Sequence, residues 1–324
     1  MEQDYVVGID IGGQTTKIGI VDRKGNVICE PLIIRTDTHT DEQLFFDELT
    51  QAINEIITKT NATGKVKGVG IGAPNGNYYK GTIEHAPNLT WGGHKTIKVA
   101  EILTSKLGLP VTLTNDANAA AVGEMIYGAA IGMKDFIMIT LGTGVGSGIV
   151  INGQVVYGHN GFAGELGHTT AVRYNGRQCN CGRIGCIEAY ASAIGLAKTA
   201  REFLEANLDK ELFNQRSPLR DLNEPISSKD VYVAATQGDG LAIKVFEFTG
   251  TKLGESLADF VAFSAPQAII LFGGLSKAGD LIKKPVERAM NEQMLSIWKN
   301  KVPIIFSLLP ESDAAILGAG ALAW

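Results

Sequence analysis

The stretch VVGIDIGGQTTKIGIVD, residues 6–22, decides the fold, because its pattern returns as FIMITLGTGVGSGIVINGQVV at residues 136–156. Each copy is an apolar run, a glycine-bearing loop and a second apolar run ending in a turn. Aligning Asp10 with Thr140 places Gly12 on Gly142 and Ile20 on Val150. Apolar runs bounded by glycine and asparagine turns read as strands. Gly25-Asn26 closes the first copy, and Asn152-Gly153, a strong hairpin signal, closes the second. A repeated unit argues for two related lobes.

Outward from the first copy, residues 41–60 carry Leu44, Phe45, Leu49, Ile53, Ile56 and Ile57 at helical spacing. NVICEPLIIRT, VKGVGIGAP, PVTLTND, QAIILFGG and IIFSLL read as strands. IKVAEILTSKL, ANAAAVGEMIYGAA, residues 192–207, residues 239–262 and the closing DAAILGAGALAW read as helices, and the polar residues 214–229 as a surface loop. Strands alternating with helices predict an α/β protein with mixed sheets covered by helices. A chain of 324 residues exceeds what one hydrophobic core serves, so two domains are expected.

With 29 basic and 34 acidic residues the net charge is -5, and no long basic run is present, which argues against a nucleic-acid partner. No apolar stretch approaches the ~20 residues of a membrane helix, and the N-terminus MEQDY is acidic, so a cytoplasmic protein is expected.

The segment GELGHTTAVRYNGRQCNCGRIGCIE, residues 164–188, holds three of the four cysteines. His168, Cys179, Cys181 and Cys186 supply the four N and S ligands of a tetrahedral zinc ion. Four protein ligands leave no open position, so the zinc is expected to be structural. Structural thiols in a loop are the alternative, made weaker by the Cys-x-Cys spacing. Glu165 and Glu188 are not needed by such a site.

Gly12 and Gly13, with Thr15, Thr16 and Lys17, have the composition of a phosphate cradle, since glycine lets backbone N–H groups approach an anion. Neither the P-loop pattern nor the dinucleotide fingerprint is present, and a strand, not a helix, follows Gly142–Gly148. Tight hairpin bends alone are the competing reading for one loop. Two loops at matching repeat positions, plus Gly273-Gly274, favour nucleotide phosphates. Asp116 ends the strand VTLTND where a helix begins; it reads as a helix cap or as a general base at a strand end. Beside Asn115 and two phosphate loops the base is the stronger reading. Asp10 would hold Mg²⁺ through water or hydrogen-bond its own loop; the sequence leaves both open.

DIGG at residues 10–13, PNLTW at 87–91, TNDANAAA at 114–121, LGTGVGSG at 141–148, GELGH at 164–168 and CNCGRIGCIE at 179–188 together resemble the ROK family of sugar kinases and repressors, within the actin-like ATPase superfamily. The resemblance covers essentially the whole chain. It implies two actin-like (ribonuclease H-like) lobes: a smaller one of residues 1–116 joined by a C-terminal helix at about 312–324, and a larger one of 117–311 holding the zinc segment. It implies Asp116 as the base that deprotonates a sugar 6-hydroxyl. Asn88, Asn115, Glu165, His168 and Glu188 become sugar ligands, and the loop of Pro74, Asn75 and Gly76 lies beside the sugar. ATP would meet Gly12, Gly13, Thr15, Gly142, Thr143, Gly144 and Gly274. The family usually carries Thr where Gln14 stands, which shifts the expected phosphate contacts.

The implied reaction is that of an ATP- and Mg²⁺-dependent sugar kinase, with glucokinase activity expected first and N-acetylmannosamine, N-acetylglucosamine, fructose or allose as other acceptors. A homo-oligomer, dimer or tetramer, is expected from the same resemblance. The family's repressors carry a helix-turn-helix module before the kinase-like part. The first strand here begins near Tyr5 and the charge is acidic, so a repressor is not expected. A sugar sensor with a dead site is disfavoured by the presence of Asp116.

Overall fold

The computed structural model describes residues 4–310 and 312–324. Glu311, at the edge of the expected C-terminal segment, lies outside them, as do Met1–Gln3 of the acidic N-terminus. The chain opens with β1 (Tyr5–Ile11), β2 (Thr15–Asp22) and β3 (Leu32–Arg35), then α1 (Glu42–Lys59) and β4 (Val66–Ala73). Three short strands follow, β5 (Gly76–Asn77), β6 (Thr82–Glu84) and β7 (Thr96–Ile97), then α2 (Val99–Leu107), β8 (Val111–Asn115) and α3 (Asp116–Tyr127). The second copy gives β9 (Phe136–Leu141), β10 (Val145–Ile151) and β11 (Gln154–Val155). Helices α4 (Glu188–Ala191), α5 (Ala193–Glu205), α6 (Leu208–Phe213), α7 (Ser228–Thr236) and α8 (Gly240–Ser264) precede β12 (Ala268–Phe272), α9 (Asp280–Gln293), β13 (Ile304–Phe306) and α10 (Ala314–Ala321).

The repeat seen in the sequence is a repeat of topology. One five-stranded sheet runs β3-β2-β1-β4-β8 and the other β11-β10-β9-β12-β13; β5, β6 and β7 form a third, small sheet. In the first sheet β1 is antiparallel to β2 and parallel to β4, which is parallel to β8. In the second, β12 is parallel to both β9 and β13.

The chain forms two compact units. One comprises residues 4–134, 148–164 and 307–324, leaving aside Glu311, and the other residues 135–147 and 165–306. Helix α3 packs with α10 and belongs to the first unit. A boundary at 116/117 would have given it to the second.

In the first unit, strand alternation sends Val7, Ile9 and Ile11 into a core with Phe45, Phe46, Leu49 and Ile53 of α1. Asp41 starts α1, its carboxylate accepting from the N–H of Gln43 and Leu44. Leu44, expected on the apolar face, is 62% exposed. The opposite face of the sheet is covered by α10 at a distance only glycine permits. A Cβ on Gly8 would lie 2.1 Å from the Ile316 carbonyl oxygen, and one on Gly70 1.8 Å from that of Ala319.

In the second unit, Ile137, Ile139, Ile269 and Leu271 of β9 and β12 pack with Phe246, Leu253 and Leu257 of α8. Residues 214–229, expected to be a surface loop, contain a 3-10 turn at Pro218–Asp221 and the first turn of α7. The reason is a buried ion pair. Arg220 donates to both carboxylate oxygens of Asp209 at 2.7 Å, and this pairing holds the Asp209 carboxyl well below its ordinary range. The expected strand NVICEPLIIRT forms β structure continuously only at Leu32–Arg35, after Pro31.

Candidate active site

The carboxyl-terminal ends of three parallel strands in the first unit carry the candidate chemistry, as α/β proteins usually arrange it. Asp10 is near the end of β1, Pro74–Gly76 follows β4, and Asn115–Asp116 follows β8. Asp10 lies opposite Gly72 in the strand register, and the Cβ position of Gly72 is 3.5 Å from Asp116 Cα. Gly76 packs so tightly on the end of β8 that a Cβ would be 2.4 Å from the Thr114 carbonyl oxygen. The loop of Asn75 and Gly76 is thus brought to Asn115 and Asp116. Asn75 adopts a left-handed φ of 51° and donates its amide to the His85 carbonyl at 2.7 Å, which closes that loop.

The question of which residue caps α3 has a geometric answer. Asn115 is the cap: its Oδ1 accepts from the N–H of Ala117 at 2.8 Å and of Asn118 at 3.4 Å. Asp116 is the first helical residue, its Oδ1 accepting from Ala117 N–H at 2.7 Å. The carboxylate is reachable by solvent yet crowded by protein, and desolvation pushes its pKa up. Asp10 is pushed up to about 6, first by burial and next by the charge of Asp116, with Lys17 opposing. Two carboxyls whose ionisation is linked, at converging strand ends, are suited to proton transfer near neutral pH.

At the hairpin tip, Gly12 N–H bonds the Thr15 carbonyl at 3.0 Å, and Gly13 approaches the Asn88 carbonyl so closely that a Cβ would lie 2.9 Å from it. Asn88 itself is exposed. Thr15 and Lys17 share one face of β2, both partly exposed. Thr16, read from sequence as a phosphate contact, does not serve as one. It points to the other face, is fully buried, and shares a hydrogen bond with Thr36 Oγ1 at 2.8 Å.

In the second unit, Gly142 N–H bonds the Gly144 carbonyl across the tip at 3.1 Å, and Gly146 N–H donates to Thr140 Oγ1 at 3.1 Å. A Cβ on Gly142 or Gly274 would meet nothing within 4 Å. Both glycines open onto a cavity of about 710 Å³ that Thr143, Ser228, Lys229, Tyr232 and Lys277 also line. Gly273, with φ of 99°, makes the turn that brings Gly274 there. The pocket's volume and lining suit a nucleoside with phosphates at the glycine end. The contributions of Ser228, Lys229, Tyr232 and Lys277 were not legible as site residues. The capping box of Ser227 and Asp230, a helix-start signal, was the available clue to order in that segment.

Four ligand atoms, from His168, Cys179, Cys181 and Cys186, lie within 4.8 Å of one another. Tetrahedral zinc with Zn–S bonds of ~2.3 Å sets neighbouring sulfurs roughly 3.8 Å apart. Cys181 Sγ and Cys186 Sγ are 3.7 Å apart, and Cys179 Sγ is 3.8 Å from His168 Nδ1, so the residues present suit that ion. His168 turns Nδ1 to the sulfurs and Nε2 to Glu165 Oε2, 4.0 Å away. Glu188 Oε1 is 4.0 Å from His168 Nδ1, so Glu165, His168 and Glu188 are brought together around the cluster. Gly167 makes room for this: a Cβ there would fall 1.9 Å from the Val145 carbonyl oxygen. Arg177, overlooked in the sequence, holds the cysteine hairpin to the helices behind it. Its guanidinium bonds Glu202, Thr199 and the carbonyls of Ala189 and Gly195, and lies over Tyr190.

A duplicated sheet with glycine hairpins, acids at strand ends and a Cys/His cluster defines an actin-like α/β protein of two units. The ROK family profile matches residues 6–324. A glucokinase of Halalkalibacterium halodurans is 34% identical over 322 residues, covering 99% of this chain and 95% of its own. The crystal structure of a ROK family glucokinase from Streptomyces griseus, in complex with glucose and AMPPNP, is 32% identical with a TM-score of 0.76 and 98% of each chain covered. The DNA-binding regulator NagC of Escherichia coli K12 is 28% identical, covering 98% of this chain and 75% of its own. The chain belongs to the ROK family.

Proposed function

We propose that the protein is an ATP-dependent hexose kinase that transfers the γ-phosphoryl group to the 6-hydroxyl of glucose, giving glucose 6-phosphate and ADP. The observation that carries this reading is the division of labour at the start of α3, where Asn115 caps the helix and Asp116 stays available beside Asp10. Asp116 accepts the proton of the attacking hydroxyl; burial raises its pKa and so makes it a stronger base than a solvated carboxylate, and general-base catalysis is worth ~10² to 10⁴ in rate. In the first unit the candidate sugar ligands are Asn75, Gly76, Asn88 and Asn115; in the second, Glu165, His168 and Glu188 offer acceptors suited to hydroxyl donors. Gly12, Gly13, Thr15 and Lys17 meet the phosphates, and Gly142, Thr143, Gly144, Gly273 and Gly274 border the nucleotide cavity. Little covalent chemistry falls to the protein in phosphoryl transfer, so positioning and charge dominate, with Mg²⁺ accompanying ATP.

His168, Cys179, Cys181 and Cys186 would hold zinc, which fixes the ring and tautomer of His168 and so the direction of Nε2. The likeness to a glucokinase that binds glucose and AMPPNP supports glucose over other hexoses. A regulatory role, suggested by the likeness to NagC, is the second reading; the availability of Asp116 favours the kinase. We place the enzyme in the cytoplasm as a homo-oligomer; among the described residues no helix is long and apolar enough to cross a membrane.

A hexose panel with coupled ADP detection tests the reading. ADP release should be largest with glucose, and silence across the whole panel with MgATP present would remove the kinase.

A further inference from the structure

Resting on that reading, we infer that Glu188 and Arg177 are positioning residues that transmit the state of the metal knuckle to the glycine hairpin at Gly142–Gly144, so that the metal governs the grip on nucleotide as well as on sugar.

The first link is the Glu188 carboxylate. Its Oε2 accepts the N–H of Val145 at 3.0 Å, and its Oε1 lies 3.4 Å from Cys179 Sγ, a sulfur whose proton metal ligation would remove. One side chain therefore sits between the hairpin and a candidate metal ligand, so that a change in the protonation of Cys179 on metal binding is felt at the acid that holds the hairpin. The contact is close: a Cβ on Gly144 would sit 2.4 Å from Glu188 Oε2, so the hairpin tip rests directly on this acid.

The second link passes through the corner between α4 and α5. The N–H of Ala193, at the start of α5, donates to the Gly142 carbonyl at 2.9 Å. Arg177 holds the same corner by donating to the carbonyls of Ala189 at 3.0 Å and Gly195 at 3.2 Å. Its own backbone belongs to the knuckle, with its N–H donating to Tyr190 Oη at 2.7 Å and its carbonyl accepting from Gly185 N–H at 2.8 Å. The Arg177 side chain is 8% exposed and its partner Thr199 is fully buried, so that bond has no water to replace it, whereas Glu202 is 43% exposed. One residue, Gln178, separates Arg177 from Cys179, and Cys186 directly follows Gly185; the three cysteines lie inside the 177–189 span that Arg177 fastens.

A third contact has the same sense. Gly167, one residue before His168, presses on the Val145 carbonyl, and Leu166 N–H donates to Ser147 Oγ at 3.1 Å. The hairpin is thus braced on both flanks by residues whose positions the metal would set. Outer partners of this kind commonly change metal affinity or activity by ~10- to 100-fold when altered.

The test measures MgADP binding by calorimetry and hydrogen exchange of the Val145 and Gly146 amides, neither of which requires turnover. Three samples are compared: zinc-loaded wild type, chelated wild type, and Arg177→Lys with its zinc content assayed. Chelation should weaken MgADP binding about tenfold and speed exchange at both amides, with recovery on adding zinc back. Arg177→Lys, retaining zinc, should reproduce the effect and raise the KM for ATP. Unchanged exchange and unchanged MgADP affinity in both altered samples would overturn the proposal. Failure of the zinc-loaded wild type to bind MgADP at all would instead strike the kinase reading beneath it.

Discussion

The two glycine hairpins occupy the same place in sheets of the same strand order, yet they meet different neighbours. In the first, the tip at Gly13 rests on the Asn88 backbone, and the strand behind it carries Asp10, pushed up to about 6 beside Asp116. In the second, Thr140 replaces the acid and accepts a backbone N–H, while the tip at Gly144 rests on the carboxylate of Glu188. The two frames correspond in strand order. The first carries an acid in the strand itself; the second has its hairpin held by the Oε2 of Glu188, from outside the sheet. The difference shows that the residues around a hairpin, more than its glycines, set its task.

The largest expected effect breaks the first side of this comparison. Asp116→Asn should lower kcat by about 10²- to 10⁴-fold while glucose binding survives. Calorimetry for binding and a coupled assay for turnover check both halves; near-normal turnover would remove Asp116 from the mechanism. Toward acid pH the wild-type rate should fall as this carboxyl protonates, beginning above the ordinary carboxylate range because its pKa is raised.

Next is the glycine frame shared with α10. Gly70→Ala forces a methyl group onto the Ala319 carbonyl and should cost about 3 kcal/mol of stability, read from urea unfolding. A loss well under 1 kcal/mol would mean that α10 can shift outward freely.

The units should also respond to pH in opposite senses. Asp10 has its pKa raised from 3.8 to about 6, so the folded first unit holds the proton longer and loses stability as pH rises across that window. Asp10→Asn should remove that slope and stabilise by about 2 kcal/mol above pH 6, allowing for solvent around a partly exposed group. Asp209 is depressed by Arg220, so its contribution is present above the ordinary carboxylate range and is lost as pH falls. Hydrogen exchange resolved by segment, followed from pH 4 to 7, would register both slopes, and equal slopes in the two units would contradict the assignment.

The smallest effect sharpens the boundary of the site. Thr16→Val should cost about 1 kcal/mol through the lost bond to Thr36 and leave the KM for ATP unchanged. A raised KM would return Thr16 to the phosphate contacts.

Much of this was legible in the sequence because it was local or repeated. The alignment of Asp10 on Thr140 anticipated two sheets, and the Cys-x-Cys spacing anticipated the cluster with His168. Thr16 was misread because a phosphate loop and a strand use the same residues; the strand's parity decides which threonine faces in, and parity depends on the turn. Whether Asn115 or Asp116 caps α3 hung on a single residue of register. Leu44 belonged to an apolar pattern, but the core is filled by Phe45 and Phe46. Ser228, Lys229, Tyr232 and Lys277 reach the cavity from segments far from Gly142 in sequence, and the polarity of residues 214–229 hid the pair of Asp209 and Arg220.

The close seat of α10 on Gly8 and Gly70 has a consequence for synthesis. The strands it covers leave the ribosome early, and the helix that covers them leaves late. Until residues 314–321 emerge, one face of the first sheet lacks its cover, while all of the second unit, residues 135–147 and 165–306, has already been made. The half of the molecule translated first is the half completed last. During that interval its apolar strands are an aggregation hazard of the kind that holdase chaperones shield.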